Sequence, residues 1–166
     1  MDVNDEHLQT LAVRTGANLL DREWRMVTAE SCTGGWIAKT LTDVPGSSAW
    51  YLGGVVTYSN VLKQTLLGVL PSTLAAHGAV SEACAREMAI GALETLGGHV
   101  AVAVTGIAGP GGGQPGKPVG TVWFGWAWHA DRIETRVAME TFDGDRETVR
   151  RRTVDRALRE LAALGD

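Results

Sequence analysis

Strand-like and helix-like patterns alternate along 166 residues and predict one α/β domain, helices packed on a mixed sheet. Three observations lead there. Residues 99–104 form a nearly continuous apolar run, the composition of a strand buried on both faces. Residues 82–96 place Ala85, Met88, Ala89 and Leu96 on one helical face. Hydrophobic residues make up 45% and charged residues 20%, the balance of a chain able to bury well over half of its unfolded surface.

In chain order, Asn4 precedes apolar residues recurring at helical spacing from Leu8 to Leu20, so it caps an opening amphipathic helix. A short strand at 26–29 follows, then a helix over 35–42 that ends before Pro45. Residues 50–58 are rich in aromatic and β-branched types and read as a strand, with Gly53 and Gly54 marking a bulge or a close backbone approach. Ser59 caps a short helix holding Val61, Leu62, Leu66 and Leu67, and Gly68 ends it. Ser81 caps the helix over 82–96.

The strand at 99–104 stops at Thr105-Gly106, where GIAGPGGGQPGKPVG (106–120) must be a loop. Its prolines remove hydrogen-bond donors and its glycines raise the entropic cost of order. Residues 119–128 and 132–141 form paired strands turning near Ala130-Asp131, and 145–164 is a basic amphipathic last helix. No repeat or linker interrupts residues 1–166, which predicts a single domain.

Composition excludes several functions. A net charge of -4 and a pI near 5.5 give no global attraction to nucleic acid or anionic membranes. The first 23 residues carry charges inside every apolar run, reading as neither signal peptide nor membrane span, so a cytoplasmic protein is expected. Cys32 and Cys84 form no CxxC pair and are expected to be thiols. His7, His77, His99 and His129 are scattered, so neither metal nor cofactor is expected. Trp123, Trp126 and Trp128 straddle both faces of one strand, the pattern of a subunit interface or of a stacking platform, and a homo-oligomer, most simply a dimer, is expected.

The glycine loop matches two phosphate-binding spacings by accident. GGGQPGK at 111–117 satisfies GxxxxGK, but Pro118 stands where Ser or Thr would hold magnesium, and a strand follows instead of a helix. Gly111 to Gly116 fits GxGxxG by count only. What survives is the strand end at Thr105-Gly106, since ligands of open α/β sheets sit beyond the carboxyl ends of strands and loop amides there form anion-binding nests.

AESCTGG (29–35) has the same arrangement. Ser31 and Thr33 stand between a strand and a helix, where hydroxyls and free amides hold a phosphate or simply cap the helix. Cys32 is either a thiol activated by the helix or a small buried apolar residue. GSSAWYLGGVVTYSNVLK (46–63) joins Ser47, Ser48, Tyr58 and Lys63 in one unit. A serine becomes a nucleophile when a base takes its proton, and a desolvated lysine serves as such a base. Lys63 among Val61, Leu62, Leu66 and Leu67 is in an apolar setting that favours the neutral amine; the other reading is a solvated lysine near a turn serine.

Together AESCTGG, GSSAWYLGGVVTYSN (46–60) and AVTGIAGPGGG (103–113), with LLGV, GAVSEACAREMA, KPVGTVW and FDGDRETVR in the same order, closely resemble the signature blocks of the competence/damage-inducible CinA C-terminal family. That resemblance implies a three-layer α/β/α sandwich with a mixed, mostly parallel sheet. It further implies metal-independent hydrolysis of the carboxamide of nicotinamide mononucleotide to nicotinic acid mononucleotide and ammonia. The alternative is a nucleotide- or partner-binding module without turnover. By resemblance Ser31, Ser48, Tyr58, Lys63, Thr105 and Arg146 sit in the family's functional blocks, and the roles expected for them are Ser48 as the nucleophile, with Ser31 the alternative, Lys63 as its base and Tyr58 as an orienting or shuttling hydroxyl. Ser31, Thr33, Gly34, Thr105, Gly106 and Gly109 bind phosphate or the oxyanion, and Arg146 clamps the phosphate.

Overall fold

Asn4 caps the first helix, α1 (Asp5–Asp21), by accepting a 2.9 Å bond from the His7 amide. This computed structural model describes residues 3–163. β1 (Met26–Glu30) is buried at every position. It leads into α2 (Trp36–Thr42) and, after a single 3₁₀ turn at Ser47–Ala49, into β2 (Tyr51–Val56). α3 (Asn60–Leu67), α4 (Pro71–His77) and α5 (Glu82–Leu96) come next. β3 (Val100–Gly106), β4 (Thr121–His129), β5 (Ile133–Thr141) and α6 (Arg146–Ala162) complete the fold.

The sheet order is β2-β1-β3-β4-β5, with β2, β1 and β3 mutually parallel and β4 antiparallel to both neighbours. Four strands therefore run one way and β4 alone opposes them. Side chains alternate across the sheet: Met26, Val100, Val102, Val104, Phe124 and Trp126 join the core with α1, α2 and α6. Val27, Ala29, Ala101, Ala103 and Ala127 join the core with α3 and α5. Helices on both faces make the three-layer sandwich that the resemblance implies, and each fully buried Leu or Met contributes about 1.5–3 kcal/mol.

Helix starts follow the capping residues read from the sequence. Ser59 accepts from the Leu62 amide at 3.2 Å and Ser81 from the Cys84 amide at 3.2 Å. α4 is absent from the sequence reading because its N-cap is Leu70, which has no side-chain acceptor, and only Pro71 at its first turn announces it. Leu164 of the predicted last helix lies outside the described residues. Gly54 is a close approach: a Cβ there would stand 1.9 Å from Thr28 Oγ1 on β1.

Of the two readings of Lys63, the desolvated one holds, but the neighbours on its own helix do not supply the burial. α3 exposes Val61, Leu62 and Leu66 and buries Lys63, 1% accessible, against the body of the protein. Trp126 is a core residue, with its indole directed at the Ala157 carbonyl of α6 (3.4 Å) and the Arg156 guanidinium over its ring. Trp123 and Trp128 are half-buried on opposite faces of β4.

Candidate active site

β1, β2 and β3 end side by side, Glu30 level with Val56 on one flank and Val104 on the other. The turns that follow therefore meet at one end of the sheet, the place where parallel strands direct free backbone groups and the positive ends of helices. A cleft of 270 Å³ opens there, lined among others by Ser31, Tyr58, Lys63, Thr105, Gly109 and Arg146.

Lys63 is the centre of its polar network. Nζ lies 2.8 Å from Ser31 Oγ, 2.7 Å from the Thr57 carbonyl oxygen and 3.1 Å from the Tyr58 carbonyl oxygen. A neutral amine has two N–H groups and one lone pair. As placed, Nζ donates to all three oxygens; in the neutral form the carbonyls take both N–H groups and the lone pair faces the Ser31 hydroxyl. Burial, the largest cause, pushes the Lys63 pKa down, and only charged neighbours, the thiolates of Cys84 and Cys32, would oppose it. Those thiols are themselves pushed up by burial, to about 11 and about 12, and remain uncharged. Cys32 is thus a buried thiol, the opposite of an activated one.

The turn carrying Ser31 is held from two sides. Gly35, at the N-cap of α2, has no side chain to cap with, and Glu30 replaces it. Its buried carboxylate accepts from the Ile37 amide (2.8 Å), the Ala38 amide (3.0 Å) and the Thr33 hydroxyl (2.6 Å). From outside, Arg150 of α6 donates to the carbonyls of Cys32 (3.1 Å) and Thr33 (2.9 Å) while stacking on Trp36. The sequence reading missed both. The available signal for Glu30 was an acidic residue closing an apolar strand just before a helix whose cap position is glycine.

Arg146 reaches across the mouth, donating to the Gly109 carbonyl at 2.7 Å and to Tyr58 Oη at 3.2 Å. Gly109 has φ 86°, and a Cβ there would stand 2.6 Å from Val119 Cγ1, so the loop keeps this path only with glycine. Thr105 donates its hydroxyl to the Ala79 carbonyl at 2.9 Å and faces the cleft as an acceptor. Lys117, the lysine of the accidental GxxxxGK, is bonded to the His77 carbonyl at the end of α4.

Three expected site residues stand elsewhere. Ser48 is exposed in the 3₁₀ turn before β2, and that six-residue strand, at about 3.3 Å per residue, separates it from the cleft by roughly 20 Å. The expected Ser48–Lys63 pair does not form, and Ser31 occupies the position beside the amine. Thr33 is fully buried with its hydroxyl committed to Glu30, and Gly34 lines a separate depression beside Trp36 and Arg150. Tyr58 meets Lys63 through its carbonyl, its phenol pointing to Arg146 instead. Among the described residues no group of three His, Cys, Asp or Glu side chains gathers as a metal site.

The family model for the CinA C-terminal domain matches residues 8–164. The chain belongs to the CinA C-terminal domain family. It is 54% identical over 148 residues to the nicotinamide-nucleotide amidohydrolase PncC of Enterobacter agglomerans, covering 89% of each chain. It is 50% identical over 159 residues to the protein of that name from Escherichia coli (strain K12), covering 96% of this chain and 95% of the relative. The crystal structure of competence damage-inducible protein A (ComA) from Klebsiella pneumoniae superposes with a TM-score of 0.89 at 44% identity, over 93% of this chain and 94% of that one. This member of the family thus keeps its fold at nearly full length.

Proposed function

We propose that this CinA-domain protein is an amidohydrolase that cleaves the carboxamide of nicotinamide mononucleotide, releasing ammonia and leaving nicotinic acid mononucleotide. The observation that carries the chemistry is Lys63 Nζ, tied to two carbonyls and 2.8 Å from Ser31 Oγ. The names of two relatives at 54% and 50% identity support the substrate.

Lys63, neutral, removes the Ser31 proton as Oγ attacks the carboxamide carbon. The developing oxyanion is met by an amide of the glycine loop, that of Gly109 at the cleft, in a site partly closed to water. Collapse breaks the C–N bond, and the proton held on Nζ leaves with the nitrogen as ammonia. Water, deprotonated by Lys63, then attacks the Ser31 ester. Breaking the ester bond returns the hydroxyl and frees the acid.

The bound pyridinium carries a positive charge, which disfavours the ammonium form of Lys63 further. Thr105, with its proton spent on Ala79, accepts from a ligand N–H or O–H. Arg146 at the mouth binds the phosphate. The substrate is a soluble nucleotide, consistent with a cytoplasmic enzyme, and no described helix is long and apolar enough to cross a membrane.

Ammonia release from nicotinamide mononucleotide by the purified protein, with and without chelator, tests this reading. Nucleotide binding without ammonia would replace it with the non-catalytic module.

A further inference from the structure

Ser31 is fixed by a relay of hydrogen bonds whose outermost member is Arg150. The Ser31 amide donates to the Val104 carbonyl of β3 at 3.1 Å, and the Ser31 carbonyl accepts from the Gly34 amide at 3.1 Å. That Gly34 N–H shares one rigid planar peptide with the Thr33 carbonyl, and the two point in opposite directions. Arg150 Nη2 holds the Thr33 carbonyl at 2.9 Å, and its Nε holds the neighbouring Cys32 carbonyl at 3.1 Å. One guanidinium therefore sets two consecutive peptide planes.

The turn needs such a hold. Gly34 and Gly35 both have positive φ, 61° and 99°, and glycine has little intrinsic preference for any one path. A Cβ on Gly34 would stand 3.3 Å from Arg150 Nη2, so the guanidinium packs directly on the turn. Trp36 fixes the guanidinium in its place, with Cζ 5.4 Å from the ring centroid. On the same helix Arg151, Arg156 and Arg159 pair with carboxylates. Arg150 has no ion pair among the described residues, and its hydrogen bonds go to the turn. Its rigid fork matches two successive carbonyls, which a lysine ammonium cannot do. Arg150 lines the outer depression beside Gly34 and not the cleft, so it stands clear of bound substrate.

We infer that Arg150 is a positioning residue for Ser31: it holds the turn in the path that keeps Oγ 2.8 Å from Lys63 Nζ. This role rests on the Ser31–Lys63 chemistry proposed above. A reacting atom displaced by about 1 Å loses about 10²-fold in rate. Glu30 caps α2 through separate bonds to Ile37 and Ala38, so loss of Arg150 loosens the turn without removing the helix cap.

Arg150→Ala and Arg150→Lys, compared with wild type in two assays, test the role. In ammonia release from nicotinamide mononucleotide, Arg150→Ala lowers kcat about 30–100-fold while KM stays within about threefold. Arg150→Lys keeps the charge without the fork and recovers little; it carries the same test should Arg150→Ala fail to fold. Guanidinium chloride at about 50 mM, far below denaturing concentrations, restores part of the Arg150→Ala rate, and sodium chloride at the same concentration restores none. The second assay needs no substrate. Phenylmethylsulfonyl fluoride sulfonylates Ser31 Oγ: the S–O bond forms, the S–F bond breaks, fluoride leaves and the hydroxyl proton passes to Lys63. Mass spectrometry of the Ser31 peptide then gives a labelling rate, which falls about 30–100-fold in Arg150→Ala. Equal labelling rates in wild type and Arg150→Ala, a loss expressed in KM alone, full activity in Arg150→Lys, or no response to guanidinium would each overturn the positioning role. Slower labelling of the variant, beside a wild type that releases no ammonia, keeps Arg150 in this role and removes the nucleotide substrate instead.

Discussion

Lys63 Nζ stands 2.8 Å from Ser31 Oγ across 32 positions of sequence, and two carbonyls from the turn after β2 fix its direction. Groups that act as a unit fail as a unit. Ser31→Ala and Lys63→Met each lower kcat by about 10³-fold or more, and the double variant is no worse. Ser48→Ala, exposed and at the far end of β2, leaves turnover unchanged. Steady-state ammonia release measures all four, and near-normal turnover in Ser31→Ala removes the dyad.

The direction of the Lys63 shift sets the pH dependence. Burial lowers its folded pKa, so the folded protein binds fewer protons than the unfolded chain between that lowered value and the ordinary lysine value near 10.4. Stability of the wild-type protein relative to Lys63→Met therefore increases with pH through that window. Catalysis moves the same way, because the base is the amine: kcat/KM rises about tenfold per pH unit until Lys63 is deprotonated. A profile that falls with pH across this limb contradicts a lysine base.

Arg146 binds a carbonyl and a phenol at the mouth, with no carboxylate among the cleft's lining residues to neutralise it. Charge-assisted hydrogen bonds contribute about 1.5–3 kcal/mol. Arg146→Ala raises KM for nicotinamide mononucleotide about 10–100-fold with a smaller change in kcat. The same substitution leaves turnover of nicotinamide riboside as it was, since that compound has no phosphate. Equal losses for both compounds would move the phosphate elsewhere.

Glu30 accepts three hydrogen bonds while only 1% exposed. Glu30→Ala orphans two helix amides and a hydroxyl, costing about 2–4 kcal/mol. Calorimetry then shows Tm lower by about 5–15 °C. Thr33→Val removes one of the three bonds and costs about 1 kcal/mol. A Glu30→Ala protein as stable as wild type shows that α2 needs no cap.

The Cys32 thiol is buried and pushed up to about 12. Cys32→Ala accordingly keeps kcat within about threefold of wild type. Loss of turnover comparable to Ser31→Ala, in a folded variant, would return the thiol to the mechanism.

Much of the fold was legible along the chain because its signals are local. Asn4, Ser59 and Ser81 cap the helices they precede, Gly68 closes α3, and the run ending at Val104 is the central strand. α4 escaped because its start lacks a capping side chain. The site was legible in part. Lys63, Tyr58, Thr105, Gly106, Gly109 and Arg146 all line the cleft, whereas Thr33 and Gly34 do not.

The sequence by itself determined an α/β chain with caps in place, a glycine-proline loop that no regular element could hold, and a lysine in apolar company. Only the tertiary structure decided which serine that lysine meets. Ser48 is nearer along the chain, but β2 carries the two apart to opposite ends of the sheet. Parallel pairing of β1 with β2 brings Ser31 to the end where Lys63 emerges. The register of a parallel sheet is a non-local property, set by crossover helices and buried area rather than by neighbouring residues. The direction of α3 is equally non-local. Its apolar side chains predict inward packing, yet two carbonyls and one hydroxyl offer the amine three partners inside, and the helix turns its lysine toward them.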